Sequence, residues 1–256
     1  MTLVAAAAFG LLFGSFANVL VARVPKGEQW LLGSSRCPRC EHDLDWYDNV
    51  PLVSWLALRG RCRHCAAPIS VRYLVVEVLV AALWVAVAWR FGLTFAAVAL
   101  AYLALVTVAL AFIDIDVRRL PDALVLPSYP IVGALLAGDA LVETDGWPAV
   151  RALIGLAAMG GYYFALRLAW PRGMGAGDVK LAGVLGLMAG YLGWSHLSVA
   201  LIAGPLVAGL LVAIPLLTKR LSLRSKVPYG PALIAGAWIG YLAGAEIGRG
   251  YLELVL

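Results

Sequence analysis

The chain of 256 residues is 62% hydrophobic and only 14% charged, with a mean hydropathy of +0.88 and a formal net charge of +5. A soluble domain has too little interior for that much apolar surface. The composition therefore specifies an integral membrane protein, and Leu-, Val- and Ala-rich runs without strict alternation specify helices over a membrane barrel. Low-complexity tracts are absent, which excludes fibrous and disordered classes. The one sizeable polar segment sets five acids against its basic residues, which argues against a nucleic-acid partner.

Apolar runs at 2–22, 73–90, 93–113, 122–138, 149–169, 179–193, 195–217 and 229–248 predict about eight transmembrane helices in an all-α polytopic fold. The first run lacks a basic leader and is interrupted by Gly14, Ser15 and Asn18, so it reads as a span and not as a cleavable signal. It is followed by a polar loop over 23–72, expected to form a small domain of its own, and then by a membrane domain over 73–256.

That loop contains "CPRC" (Cys37, Cys40) and "CRHC" (Cys62, Cys65), with 21 residues between the pairs. Two such knuckles can bring four thiolates to the corners of a tetrahedron, the geometry zinc accepts, and the metal would supply much of the folding free energy of so small a segment. The alternative is two disulfides, which a cytoplasmic loop disfavours because thiols there are kept reduced. Four thiolates close the site, so the metal is structural, and His42 and His64 read as surface residues. The segment "NVPLVSWLALRGRC" reads as amphipathic and interfacial, and Trp46, Tyr47 and Trp55 suit the same boundary.

Four acids fall within or at the edge of the later spans. Glu77 lies just inside the second, Asp114 and Asp116 end the third in "AFIDIDVRRLPD", and Asp178 opens the sixth in "RGMGAGDVKL". Ionisable groups at such depth mark functional paths or paired sites. Asp122, after Pro121, reads as the cap of the fourth span, in which Pro127 and Pro130 should introduce a kink. The sixth span is short for a hydrocarbon core of about 30 Å. The loop at 139–145 carries Asp139, Glu143 and Asp145 and reads as an acidic outer connection.

Lysine and arginine placement orients the chain. With the 23–72 loop inside, 17 of the 20 basic residues are cytoplasmic, leaving Arg90, Arg151 and Arg249 outside with both termini. In that topology the end of the third span and the start of the sixth share the cytoplasmic side. Asp114 and Asp178 could then meet, share a proton and perform aspartic-protease chemistry. The alternative is that each acid caps a helix or pairs with Arg118, Arg119 or Lys180. Asp116, two residues from Asp114, projects from a different helical face.

"GAGDVKL" resembles the GxGD signature of intramembrane aspartic proteases. Together with "DIDVRRLPD", "GSFANVLVARVP", the two CxxC pairs, "NVPLVSWLALRGRCRHC", "ISVRYLVVEVLVA" and "VPYGPALIAGAW", it resembles the bacterial type IV prepilin peptidase family, also called leader peptidase/N-methyltransferase. The resemblance covers nearly the whole chain, and "PAL" at Pro231 to Leu233, which invites comparison with presenilin-like proteases, falls in the family's own segment.

The resemblance implies a multi-pass inner-membrane endopeptidase that removes the basic leader of type IV prepilins and type II secretion pseudopilins. Cleavage falls on the cytoplasmic side, after a glycine. It also implies N-methylation of the new terminus by S-adenosylmethionine, although no glycine-rich nucleotide loop is visible in 23–72. It assigns Asp114 and Asp178 as the catalytic pair and the four cysteines as zinc ligands. The helix dipole favours an ionised Asp178 and a protonated Asp114. Gly175 and Gly177 are expected to clear space for a substrate backbone and to permit unusual turns. Lys180 is expected to contact substrate or lipid headgroups, or simply to snorkel, and Glu77 and Asp116 to support the site. The rival reading is a proton-coupled transporter with a structural zinc loop. The sequence sets no oligomeric state.

Overall fold

The computed structural model describes residues 2–30, 35–37, 39–171, 173–217 and 228–255. Arg172 and the basic residues at 219–226, which contribute to the orientation argument, lie outside the described residues. The helices are α1 (Thr2–Arg23), a short α2 (Val53–Ala57), α3 (Val71–Phe91), α4 (Phe95–Val117), α5 (Asp122–Glu143), α6 (Trp147–Ala169), α7 (Ala176–Leu192), α8 (Trp194–Leu217) and α9 (Gly230–Val255). There is no β-strand among the described residues. Six of the helices, α1, α3, α4, α5, α6 and α8, are long and apolar enough to cross a membrane. The chain is thus a helical, multi-pass membrane protein. The remaining long helices, α7 and α9, coincide with the sixth and eighth predicted runs but fall short of that measure by length or apolar content.

The helix ends correct the hydropathy reading in places. The helix α4 continues through Asp114 and Asp116 to Val117, where Arg118 takes the left-handed conformation (φ 53°) and its N–H returns to the Asp114 carbonyl. The helix α5 runs unbroken past Pro127 and Pro130 to Glu143, so Asp139 is a helical residue and not part of an outer loop. It is 9% exposed: Oδ1 accepts the Ala96 N–H at 3.0 Å and Oδ2 the Tyr191 hydroxyl at 2.8 Å. Ala140, Leu141 and Val142 carry the apolar pattern on beyond it, and two donors replace its water. Asp122 stands in the first turn of α5 with Pro121 as the capping residue.

The chain divides into two compact units, residues 1–93 with 100–109, and residues 94–99 with 110–256. In the first, α1 and α3 pack along Gly10 and Gly14. A Cβ on either glycine would lie 2.6 Å from a backbone Cα of α3, at Ala81 and Glu77 respectively. Small residues four apart allow such an approach, and the Asn18 amide locks it by donating to the Tyr73 carbonyl at 3.0 Å.

In the second unit α7 is the central element, packed against α5, α6, α8 and α9. Every residue from Leu181 to Tyr191 is buried. At 17 residues α7 is about 26 Å long, less than a hydrocarbon core, but a helix walled in by protein need not match the lipid. Its glycines make the enclosure possible: a Cβ on Gly186 would meet the Met159 side chain at 2.7 Å, and one on Gly190 would sit 3.0 Å from the Gly155 Cα. The α8–α9 pair uses the same device, with Gly240 against Ala200.

Gly186→Val should wedge α6 and α7 apart and destabilise the protein by about 1–3 kcal/mol. Gly161→Ala, where nothing lies within 4 Å of the added carbon, should be neutral or slightly stabilising. Thermal unfolding of the two variants in detergent would separate them.

Candidate active site and metal centre

Asp114 and Asp178 both belong to the second unit and are both buried, at 6% and 8% exposure. Asp114 sits in the last turn of α4 and Asp178 in the first turn of α7, so the dipoles of their helices act on them with opposite sign. Each carboxylate is held by one backbone N–H. Gly175 donates to Asp178 Oδ2 at 3.0 Å, the acidic half of a capping box at the start of α7. Gly230, the first residue of α9, donates to Asp114 Oδ2 at 2.9 Å.

The side chain of Leu120 lies between the first turn of α7 and the start of α9. It lies against Gly177, where a Cβ would come 2.9 Å from Leu120 Cβ, and against Gly230, where a Cβ would come 3.3 Å from Leu120 Cδ2. The two carboxylates are near enough to act on one another electrostatically. Two phenols complete the surroundings: the Tyr229 hydroxyl donates to the Tyr163 hydroxyl at 3.3 Å, and both feel the charge of Asp178. A backbone donor on each carboxylate fixes its rotamer.

Neither glycine of "GAGD" adopts the unusual turn expected of it. Gly175 has φ −74° and ψ 156°, ordinary extended backbone, and neither it nor Gly177 is left-handed. Their value is space: a Cβ on Gly175 would stand 2.9 Å from Asp178 Oδ2, and the room at Gly177 is taken by Leu120. Lys180 is engaged in a bidentate pair, its Nζ 2.8 Å from both oxygens of Asp122. Tyr129 donates to the Lys180 carbonyl at 2.6 Å, tying α5 to the start of α7. Asp116 is exposed on α4, on another face from Asp114. Glu77 lies in the first unit, 8% exposed, and Oε2 accepts the Leu52 N–H at 2.8 Å. Leu120, Tyr163, Tyr229 and Gly230 did not emerge from residue-type reasoning, although "VPYGPAL" carries two of them.

The cysteine loop forms two copies of one knuckle. Cys37 N–H donates to the His42 carbonyl and Glu41 N–H to the Cys37 carbonyl; 25 residues later Cys62 donates to Ala67 and Ala66 to Cys62. Glu41 (φ 56°) and Ala66 (φ 55°) take the same left-handed turn, and the bridges Arg36–Asp43 and Arg61–Pro68 close the two copies alike. The four sulfurs lie within 4.8 Å of one another, Cys37 and Cys65 at 3.8 Å. Zn–S bonds of about 2.3 Å place the corners of a tetrahedron about 3.8 Å apart, so the donor set fits a metal ion. Backbone hydrogen bonds from Cys40 and Arg39 pull the Cys37 thiol down to about 6, favouring the thiolate a metal needs. His42 and His64 are exposed, with ring centres 3.6 Å apart and ring planes tilted by 41°.

Comparison with known proteins agrees with this arrangement. Residues 8–91 match the Bacterial Peptidase A24 N-terminal domain, and residues 101–214 match the Type IV leader peptidase family. A protein of Aeromonas hydrophila is 37% identical over 277 residues, covering 95% of this chain and 91% of its own length. One of Pseudomonas aeruginosa is 35% identical over 268 residues, with 95% and 91% covered. One of Myxococcus xanthus is 43% identical over 194 residues, covering 73% of this chain and 55% of its own. All three are named prepilin leader peptidase/N-methyltransferase. No solved structure matches. Nothing in these likenesses supports a proton-coupled transporter. With two family domains matched in order and identity above one third along nearly the whole length, the chain belongs to the type IV leader peptidase family.

Proposed function

We propose that the chain is an intramembrane aspartic endopeptidase that cleaves the leader of type IV prepilins or type II pseudopilins after a glycine and then methylates the new N-terminus with S-adenosylmethionine. The single observation that carries the peptidase reading is a pair of buried carboxylates in one unit, each fixed by a glycine N–H. It is supported by the printed function of relatives that cover nearly all of the chain.

In this reading Asp178 is the ionised member. Its place in the first turn of α7 is worth about 0.3–1 kcal/mol to an anion, and the last turn of α4 disfavours one at Asp114 by a similar amount. Asp178 draws a proton from water, the water oxygen attacks the scissile carbonyl carbon, and protonated Asp114 donates a hydrogen bond to the carbonyl oxygen. The tetrahedral intermediate then collapses with cleavage of its C–N bond, and the proton that Asp178 took from water passes to the leaving amine. The pair titrates as a unit, so these roles describe one microstate. Gly175 and Gly177 keep the approach narrow but open. Lys180, Asp116 and Glu77 act as supporting or substrate-contacting residues.

Residues 23–72 form the zinc-binding loop, with Cys37, Cys40, Cys62 and Cys65 holding a structural Zn, and 73–256 the peptidase membrane domain. The protein sits in the bacterial inner membrane with eight spans, the active site toward the cytoplasm and both termini outside. The preponderance of basic residues on one side supports that orientation.

Asp114→Asn and Asp178→Asn should each lower prepilin cleavage by roughly 10²–10⁴-fold with insertion intact, measured by the mass and N-terminus of the product. Substantial cleavage by either variant would sink the pair. Gly177→Ala should displace Leu120 at its Cβ, slow cleavage and lower thermal stability by about 1 kcal/mol or more. Metal analysis of the purified chain should return close to one zinc per molecule, lost in Cys62→Ser together with protection of the loop from protease. Full metal content in that variant would reject the four-thiolate site.

A further inference from the structure

The short connection between α4 and α5 carries a leucine into the surroundings of the carboxylate pair. In "VRRLPD" the neighbours Arg118, Arg119 and Asp122 are exposed, whereas Leu120 is half-buried. Its place is fixed by the backbone on either side. Arg118 has turned into the left-handed region at φ 53°, and Pro121, at φ −64° and ψ 129°, keeps the residue before it out of helical geometry.

Glycines receive this leucine. A Cβ on Gly177 would lie 2.9 Å from Leu120 Cβ and 3.4 Å from the Leu120 carbonyl oxygen, so side chain and backbone alike press on the residue before Asp178. A Cβ on Gly230 would stand 2.8 Å from Asp114 Oδ2 and 3.3 Å from Leu120 Cδ2. The leucine methyl and the Asp114 carboxylate therefore flank a single point, with less room there than an added methyl group needs. Gly175 leaves the same narrow margin at the other carboxylate, where a Cβ would come 2.9 Å from Asp178 Oδ2.

We infer, on the peptidase reading given above, that Leu120 is the residue that restricts cleavage to the bond after a glycine. In a substrate, the side chain before the cleaved bond branches from the carbon beside the scissile carbonyl. It must therefore be housed wherever that carbonyl meets the carboxylates. The room there is already bounded by Leu120 and by glycine backbone. A glycine brings only hydrogen to it. An alanine adds a methyl group that must push Leu120, whose Cβ rests on α7 and whose backbone is pinned by Pro121. At a filled site a single carbon decides about 10–200-fold in rate between substrates.

The test compares two prepilins as substrates of the whole chain in detergent, one natural and one with alanine in place of the glycine before the cleaved bond. The ratio of their kcat/KM values is the readout. The unaltered chain should cut the alanine form about 10–200-fold more slowly. Leu120→Ala should narrow that ratio about tenfold or more, Leu120→Val should narrow it less, and Leu120→Met, which keeps the bulk, should preserve it. The ratio does not depend on how much of a variant is folded, and a merely structural role for Leu120 would slow both substrates alike. Leu206→Ala, at a position on α8 that is 62% exposed, should keep the ratio of the unaltered chain. A ratio unmoved by Leu120→Ala and Leu120→Val, or an unaltered chain that cuts both forms equally, would overturn the role of Leu120 and leave the peptidase reading intact. An unaltered chain that cuts neither form would overturn both.

Discussion

Four acidic residues are buried among the described residues, Glu77, Asp114, Asp139 and Asp178, and each is answered by a backbone N–H, three of them from a distant part of the chain and the fourth from the residue that caps its own helix. Asp114 receives Gly230, Asp178 receives Gly175, Glu77 receives Leu52 and Asp139 receives Ala96, all at 2.8–3.0 Å. A carboxylate withdrawn from water loses hydration worth several kcal/mol, which only such donors or a proton can offset. A membrane protein has few side chains to spare for the purpose. The backbone is present everywhere, and its unpaired N–H groups gather at helix starts. All four donors stand at or beside a helix N-terminus, those of α2, α4, α7 and α9. Glu77, Asp114 and Asp139 therefore stitch helix starts to their neighbours, while Asp178 closes the start of its own helix.

The spans were legible in the sequence because an apolar run is a direct statement about lipid. The cysteine knuckles were legible because spacing encodes the turn: the left-handed residues fall at the same position after the first cysteine of each pair, as do the closing bridges. Asp114 and Asp178 stood out as charges in greasy surroundings. What holds Asp114 did not stand out. The donor to Asp114 is 116 residues away and acts through its N–H, which every residue but proline possesses. Residue type carries no trace of such a contact.

Asp139 was misread for the opposite reason. Next to Glu143 and Asp145 its charge suggested a solvated loop, whereas helix α5 continues and the Ala96 N–H and Tyr191 hydroxyl take the place of water. The glycines of "GAGD" were read as clearance for a substrate backbone and as licences for an unusual turn. They adopt ordinary backbone and are small because Asp178 and Leu120 occupy the space a side chain would need. In both cases local composition was correct and the tertiary neighbour decided its meaning.

The enclosure of α7 has a consequence for how the protein is made. A glycine-rich helix of 17 residues that opens with an aspartate partitions weakly into lipid by itself. Its stability comes from the walls that α5, α6, α8 and α9 build around it. During synthesis α7 therefore gains little from meeting the bilayer first, and it becomes secure once α6 and then α8 are at hand to receive it. Biogenesis of the candidate site is in this sense a late and cooperative event. The chain can be membrane-bound well before Asp178 has reached its working position.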